Sequence, residues 1–170
     1  MESLRLRSNS PKQTELLGNC LGELAQKSDV FLLTGELGTG KTCLVQGIAR
    51  GLDVKEYAFS PSFVILREYH GRLPLYHIDL YRLDDVEEVA DLGLDDYLYG
   101  DGVSVVEWAE KGVQVLPKDN LLIDMQYIVG SPTGRSLCLK PRGARYADVI
   151  RRLRRREGIV ALNAKCSTVR

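Results

Sequence analysis

A glycine-rich octapeptide with the pattern G-x-x-x-x-G-K-T is the stretch of this 170-residue chain with the most recognisable chemistry. Its residues, in order, are Gly35, Glu36, Leu37, Gly38, Thr39, Gly40, Lys41 and Thr42. Glycines allow a tight turn that brings backbone N–H groups around a polyphosphate, and the N-terminus of a following helix adds partial positive charge. Lys41 is then expected to contact the β and γ phosphates of a nucleotide, and the Thr42 hydroxyl to hold Mg²⁺.

The segments on either side of this loop have the periodicity that a phosphate-binding motif needs. Before it, the apolar and β-branched run at residues 30–34 is typical of a buried strand. After it, Leu44, Ile48 and Leu52 fall on one face of a helix. Strand, glycine loop and helix together favour nucleotide binding over an accidental glycine loop. Cys43, directly after the motif, is expected to pack just behind the loop.

Two carboxylates stand where predicted strands end, and each can complete such a site. Glu107 closes the run 103–106 in the manner of a Walker B acid, and Asp79 closes the run 76–78. Ligand sites in α/β sheets lie at the carboxyl ends of strands, so both side chains can face the phosphates. One carboxylate would bind Mg²⁺ together with Thr42, and the other would orient the attacking water. The pattern leaves open which carboxylate has which role. The alternatives are an edge carboxylate for Glu107 and a hairpin-turn carboxylate for Asp79.

Two further side chains lie beside these acids. Trp108, the only tryptophan, follows Glu107, and His77 precedes Asp79 by two residues. A lone tryptophan is as compatible with the core as with the site. His77 is equally compatible with a polar site residue and with a buried, hydrogen-bonded histidine.

Composition and charge are those of an ordinary globular domain. Charged residues make up 27% and hydrophobic residues 44% of the chain, and the formal net charge is zero. The net charge therefore gives no indication that the protein binds nucleic acid or a membrane. The four cysteines form no C-x-x-C pair, and with two histidines they build no zinc pattern. No signal peptide and no stretch able to span a bilayer is evident, so we expect a cytoplasmic protein.

Charge is nevertheless distributed unevenly. Residues 76–110 hold eleven acidic residues and one basic residue, whereas residues 140–156 hold eight basic residues and one acidic residue. Two solvated faces explain this pattern, and so do two partner surfaces of opposite sign. We expect one domain over residues 1–157, with a basic helix at about 145–156, and a flexible tail over 158–170.

The rest of the chain predicts an alternation of helices and strands. Ser10 and Pro11 begin a helix that extends to about Lys27, with Gln13 completing a capping box. Residues 63–70 and 73–81 predict a hairpin, residues 84–91 a short acidic helix, and residues 120–129 and 135–140 two strands around a turn at 130–134. These elements favour an α/β P-loop NTPase fold of three layers. Its sheet is predicted to be mixed and largely parallel, with antiparallel strands at one margin.

Five segments resemble, in order and spacing, the TsaE (YjeE-type) P-loop ATPases. They are the loop at 35–42, S-P-S-F at 60–63, H-I-D-L-Y-R at 77–82, L-G-L-D-D-Y at 92–97 and V-E-W at 106–108. Proteins of this family are needed for threonylcarbamoyl modification of the adenosine beside the anticodon in transfer RNA. The loop alone is shared with many folds, but its combination with H-x-D-x-Y-R and E-W is specific, and the resemblance covers residues 10–140.

The resemblance implies roles for individual residues. Lys41 and the loop amides would bind ATP, Thr42 and Glu107 would hold Mg²⁺, and Asp79 would assist hydrolysis. Residues 60–63 resemble a mobile switch in which threonine is usual at the position of Ser62, and Thr39 replaces a common alanine. Further site residues by this resemblance are Ser60, His77, Tyr81, Arg82 and Trp108.

The resemblance also implies partners. A TsaD-like catalytic subunit and a TsaB-like scaffold subunit are expected to work with this chain, which would use ATP hydrolysis to reset their complex between turnovers. Without these partners, its hydrolysis of ATP is expected to be slow. Transfer RNA is then contacted indirectly, and no membrane is involved. The basic segment after Lys140 departs from shorter family members.

Three other functions of a P-loop domain have different sequence requirements. A small-molecule kinase usually carries an arginine-bearing lid, whereas only four scattered arginines stand between the loop helix and Glu107. A regulatory GTPase would need an N-K-x-D segment, which this sequence lacks. The sequence does not decide against a nucleotide-gated binding module that binds ATP without hydrolysing it.

The sequence indicates only weakly which residues contact the base of the nucleotide. Residues 8–14 are the candidates.

Overall fold

The computed structural model describes residues 2–164, in which strands and helices are interspersed along the chain. Its strands are β1 (Leu4–Ser8), β2 (Val30–Thr34), β3 (Leu66–His70), β4 (Pro74–Asp79), β5 (Val103–Glu107), β6 (Asn120–Ile128) and β7 (Ser131–Arg142). Its helices are α1 (Pro11–Leu24), α2 (Lys41–Gly51), α3 (Val86–Asp91), α4 (Asp95–Leu98), α5 (Ala144–Leu153) and α6 (Glu157–Ala164), with a 3₁₀ turn at Ala109–Lys111. None of the helices in this part of the chain is both long and apolar enough to cross a membrane.

The strands of residues 2–164 form one sheet in the order β1-β7-β6-β2-β5-β4-β3. The four central strands, β6, β2, β5 and β4, run parallel, while β3 and the β7–β1 pair run antiparallel to their neighbours. The predicted mixed sheet is confirmed, and antiparallel strands lie at both margins rather than one. Since β2, β5 and β4 are parallel, their carboxyl ends meet at one edge, where the loop after β2 also lies.

Helices cover both faces of this sheet. On one face, apolar side chains of α1, α2, α5 and α6 pack against the central strands in a single buried cluster. On the other, α3, α4 and the 3₁₀ turn cover β2, β5 and β4. The predicted helix start at α1 is confirmed: the Ser10 hydroxyl accepts from the Gln13 N–H, and the Gln13 side chain accepts from the Asn9 N–H. The helix ends at Leu24, three residues before the predicted Lys27.

Glycines bring α1 unusually close to α2, the helix that follows the loop. Gly18 and Gly22 of α1 face Gly47 and Gly51 of α2, and a Cβ on Gly18 would collide with the backbone at Leu44 and Gly47. Each helix therefore carries a G-x-x-x-G pair whose missing side chains let the two backbones touch. This contact anchors the helix on which Lys41 and Thr42 stand.

Two sequence-based expectations need correction, and one strand was not predicted. Residues 4–8, for which the sequence predicts no element, form edge strand β1, in which Leu4 and Leu6 are buried. The turn between β6 and β7 is shorter than predicted, because β7 begins at Ser131 and the extra residues form a bulge. Residues 158–164, expected within a flexible tail, belong to α6, where Ile159 and Leu162 are buried in the core. Residues 165–170 of that predicted tail lie outside the described residues.

The predicted hairpin and the acidic helix are confirmed. Strands β3 and β4 pair from Leu66 with Ile78 to His70 with Pro74, and Pro74 opens β4 as its missing N–H requires. Helix α3 begins after Asp85, whose carboxylate accepts from the Glu88 N–H. Strand β4 of this hairpin also pairs in parallel with β5, which places the ends of the two strands side by side, the arrangement that the site depends on.

Candidate nucleotide-binding site

The glycine loop has the conformation that only glycines permit. Gly35 and Gly38 have φ of 130° and 80°. A Cβ on Gly35 would collide with the Met125 carbonyl oxygen, and one on Gly38 with the Tyr127 hydroxyl. Gly40, with φ of 98°, precedes α2 and offers no side chain to cap it. The N-terminal N–H groups of α2 therefore face the loop and can bind an anion.

Lys41 lies almost fully buried beneath this loop. Its ammonium donates to the Gly35 carbonyl at 2.5 Å and to the Glu36 carbonyl at 2.9 Å, and stands 4.0 Å from the centre of the Trp108 ring. Burial lowers the pKa of Lys41, and the carboxylates of Glu107, Glu110 and Asp79 oppose that shift. A nearby phosphate would favour the charged ammonium further, so the position suits an anionic ligand.

Thr42 and Glu107 meet across the site. The parallel register of β4 and β5 pairs Asp79 with Glu107, which brings the two predicted carboxylates side by side. The Thr42 hydroxyl donates to Glu107 at 2.9 Å from Oε1 and 3.2 Å from Oε2. A hydroxyl and one carboxylate are oxygen ligands, and Mg²⁺ in nucleotide sites takes one or two carboxylates together with phosphate oxygens. These residues therefore fit a magnesium ion.

Asp79 is tied to residues 60–63, the segment we name the switch. Its Oδ2 accepts from the hydroxyls of Ser60 and Ser62, each at 2.9 Å, and its Oδ1 accepts from the Tyr81 N–H at 2.9 Å. Ile65, just after the switch, has φ of 67°, a conformation unfavourable for a β-branched residue by about 1–2 kcal/mol. A buried carboxylate thus holds a segment whose end is strained.

Aromatic and cationic groups line the outer part of the site. Tyr81 packs on Trp108 with ring centres 4.9 Å apart, and Arg82 lies 4.6 Å over the ring of Phe63. Trp108 itself takes a left-handed backbone conformation, φ 58°, which turns the chain at the end of β5. A cavity of about 510 Å³ collects most of the predicted site residues: Leu37, Gly38, Gly40, Lys41, Thr42, Ser60, Ser62, Phe63, Asp79, Tyr81, Arg82, Glu107 and Trp108.

Five predicted site residues lie outside this cavity. Gly35 and Glu36 form the base of the loop, where their carbonyls bind Lys41. His77 is buried behind Glu107, with Nε2 2.7 Å from Glu107 Oε1. Thr39 and Cys43 lie on the other side of the loop, and the Cys43 thiol donates to the Pro11 carbonyl.

A second, smaller cavity of about 170 Å³ adjoins the back of the loop. Its lining combines the start of α1, the loop and the start of β7: Pro11, Thr14, Gly38, Thr39, Gly40, Cys43, Pro132, Thr133 and Arg135. Arg135 donates to the carbonyls of Thr39 at 3.1 Å and Gly38 at 3.2 Å and stacks on Tyr127. Sequence reasoning missed Arg135 and Tyr127, because no motif marks them. The β2–β6 pairing brings Tyr127 to the loop, and the β6–β7 pairing brings Arg135 there.

The basic segment beyond Lys140 is largely paired within the chain. Arg145 binds Asp29 through two hydrogen bonds, of 2.9 and 2.6 Å, at the opposite end of the sheet from the loop. Other arginines of α5 and of the turn after it lie within ion-pair distance of acids: Arg151 and Arg152 of Asp148, Arg154 of Glu2, and Arg156 of Glu23. These contacts favour a solvated, internally paired face over a free basic surface.

Comparison with known proteins adds independent information. The family model described as "Threonylcarbamoyl adenosine biosynthesis protein TsaE" matches residues 8–134. Proteins named tRNA threonylcarbamoyladenosine biosynthesis protein TsaE are similar to this chain. The one from Bacillus subtilis is 38% identical over 160 residues, covering 94% of this chain and 99% of its own. The one from Treponema pallidum is 41% identical over 125 residues, covering 74% of this chain and 93% of its own.

A solved structure agrees with these sequence matches. The crystal structure of Bacillus subtilis YdiB superimposes with a TM-score of 0.79 at 34% identity, covering 91% of this chain and 95% of that one. The match thus extends over nearly the whole of both chains.

Proposed function

The chain belongs to the TsaE family of threonylcarbamoyl adenosine biosynthesis proteins, and from this membership we propose that it binds and hydrolyses ATP with Mg²⁺ to serve that modification of transfer RNA. The observation that carries the proposal is the contact between the Thr42 hydroxyl and the Glu107 carboxylate, 2.9 Å apart, beside Lys41 and the glycine loop. A nucleotide-dependent function needs a phosphate cradle, a cation and two metal-ligating oxygens together, and these residues supply them.

Each group has a distinct part in the proposed reaction. The N–H groups of the loop and of the α2 N-terminus bind the phosphate oxygens, and Lys41 exchanges the Gly35 and Glu36 carbonyls for the β and γ phosphates. Thr42 and Glu107 hold Mg²⁺, which when bound neutralises charge that develops on the phosphates. Asp79, one strand away from Glu107, orients the attacking water.

The base of the nucleotide is assigned to the cavity behind the loop. Pro11 and Thr14 belong to the start of α1, which the sequence weakly indicated as a neighbour of the base. Apolar and hydroxyl side chains around a cavity of about 170 Å³ suit a planar ring. Arg135 braces the loop by binding the carbonyls of Gly38 and Thr39, so the loop N–H groups keep pointing toward the phosphates.

The switch is the proposed point of contact with a TsaD-like and TsaB-like pair. It carries Phe63, which is 82% exposed, and its neighbours Tyr57, Phe59 and Val64 are exposed as well. Exposed apolar side chains gathered in one segment are typical of interaction sites. Because Ser60 and Ser62 bind Asp79, a partner that moves the switch would also change the surroundings of that carboxylate.

The test is ATP hydrolysis by the purified protein, alone and with the TsaB–TsaD pair of the same organism. We expect slow turnover that the pair stimulates and that Lys41→Ala abolishes. Lys27→Ala is the matched control, since Lys27 is exposed and lies at the far end of the sheet. Phosphoryl transfer to a small metabolite, with neither stimulation nor association, would contradict the proposal and favour a kinase.

One observation favours a second candidate, a nucleotide-gated binding module that does not hydrolyse. Both oxygens of Asp79 already accept hydrogen bonds from Ser60, Ser62 and Tyr81, so this carboxylate has other partners than water. ATP binding without turnover, with or without the partner pair, would support the module.

A further inference from the structure

We propose that His77 is a positioning residue of the magnesium site, which fixes the Glu107 carboxylate by donating a hydrogen bond from Nε2 to Oε1. This inference rests on the proposed function, because it concerns the cation that Glu107 and Thr42 would hold. His77 is fully buried in β4, and the distance from its Nε2 to Glu107 Oε1 is 2.7 Å. The side chain lies behind the carboxylate rather than in the nucleotide cavity, so it acts through Glu107.

The geometry divides the two oxygens of Glu107 between different tasks. Oε1 accepts from both His77 and Thr42, whereas Oε2 has, among the described residues, only the longer contact of 3.2 Å with Thr42. Oε2 is therefore the oxygen left for a cation. A glutamate side chain has several rotatable bonds, and anchoring one oxygen from behind reduces the conformational freedom lost when the other binds metal.

The surroundings of the imidazole also determine where its proton lies. The ionised Glu107 carboxylate can only accept, so Nε2 must carry the hydrogen. Nδ1 is buried and has no hydrogen-bond partner within residues 2–164. A protonated Nδ1 would be a buried donor without an acceptor, which is more costly than an unpaired lone pair. The structure thus assigns the neutral tautomer with its proton on Nε2.

A purely structural role predicts something different. If His77 only filled space between β4 and its neighbours, an apolar side chain of similar size would serve as well, and any damage would affect folding rather than metal binding. A positioning role predicts that the loss is specific to Mg²⁺ and that a side chain with a donor at the same place restores it. The two roles therefore separate in the metal dependence of nucleotide binding.

The experiment titrates a fluorescent ADP analogue against wild type, His77→Leu and His77→Gln, each with and without Mg²⁺. We expect His77→Leu to need about 10–100-fold more Mg²⁺ for half-saturation, the usual effect of removing a hydrogen-bond partner of a metal ligand. Its affinity for the analogue without metal should stay unchanged. His77→Gln, whose amide N–H can reach Glu107, should retain most of the Mg²⁺ affinity. His70→Gln is the matched control, since His70 is exposed on β3.

Several outcomes would overturn the inference. Unchanged Mg²⁺ dependence in His77→Leu would do so, and so would equal losses with and without metal. Failure of wild type to bind the analogue in a Mg²⁺-dependent way would instead contradict the proposed function. If His77→Leu does not fold, ¹⁵N NMR of wild type decides: with only two histidines, His77 is assignable from the His70→Gln spectrum. The positioning role requires a proton on Nε2 whose resonance moves with Mg²⁺ and ADP together, and a proton on Nδ1 would refute it.

Discussion

Replacing Asp79 by asparagine is expected to remove hydrolysis while leaving the fold and ATP binding in place. The amide can keep all three hydrogen bonds: its oxygen accepts from the Tyr81 N–H, and its NH₂ group donates to the hydroxyls of Ser60 and Ser62. Hydrogen bonds to charged groups contribute about 1.5–3 kcal/mol and neutral ones about 1 kcal/mol, so the two hydroxyl contacts together should weaken by about 1–4 kcal/mol. A domain of this size remains folded after such a loss.

The effect on turnover should be much larger than the effect on stability. A carboxylate that orients or deprotonates the attacking water contributes about 10²–10⁴-fold to the rate. Single-turnover hydrolysis and equilibrium ATP binding, measured on the same preparation, separate the two steps. Asp124→Asn is the matched control, because Asp124 lies on β6 of the same sheet, separated from β4 by β5 and β2, and likewise accepts hydrogen bonds from two side chains, those of Thr34 and Gln126. Hydrolysis that survives Asp79→Asn would refute the assignment and leave Glu107 as the residue that orients water.

Three further predictions concern the framework of the site. Ile159→Ala should lower the free energy of unfolding, measured by urea denaturation, by about 2–4 kcal/mol, because Ile159 is buried. The control Val160→Ala, at an exposed position, should change it by no more than about 0.5 kcal/mol. Equal effects of the two substitutions would contradict the packing of α6 against the core. Gly18→Ala should lower the Tm by an amount corresponding to more than about 2 kcal/mol, because its Cβ has no room against α2. Burial raises the pKa of Tyr146 to about 12, and its hydroxyl accepts from the Val30 N–H. In the unfolded chain the Tyr146 side chain ionises near pH 10, so the free energy of unfolding falls between pH 10 and 12. Tyr146→Phe should be less stable than wild type at pH 7, and its free energy of unfolding should fall by about 2–3 kcal/mol less than that of wild type over this interval.

The part of the site that lies in one continuous motif was predictable from the sequence. The local sequence largely determines the conformation of residues 35–42, because its glycines adopt positive φ and the flanking strand and helix allow few other conformations. For Asp79 and Glu107, the sequence predicted only that both lie at the same edge of the sheet, and not that they pair. Their contact partners depend on register, and two parallel strands separated by two intervening helices do not reveal their register in the sequence.

The residues that sequence reasoning missed share a physical reason. Arg135 reaches the loop only because the short turn after β6 sets the β6–β7 register, and no local pattern reports that distance. Strand β1 and the helix–helix contact did have signals. Leu4 and Leu6 alternate with arginines, and the spacing of Gly18 and Gly22 repeats in α2. Five residues at a chain end and two glycines in a helix are weak patterns until their partners are known.

The contacts within the site suggest that affinity and turnover are controlled by different segments. Lys41 is bound to loop carbonyls, Glu107 to Thr42 and His77, and Asp79 to the two serine hydroxyls of the switch. In the proposed function, nucleotide binding would therefore be an exchange of partners at the loop, and its free energy would be a difference between old and new contacts. That exchange does not require Asp79 to leave the switch. We accordingly expect substitutions in the loop to change affinity first, and substitutions or partners that move the switch to change the rate of hydrolysis first.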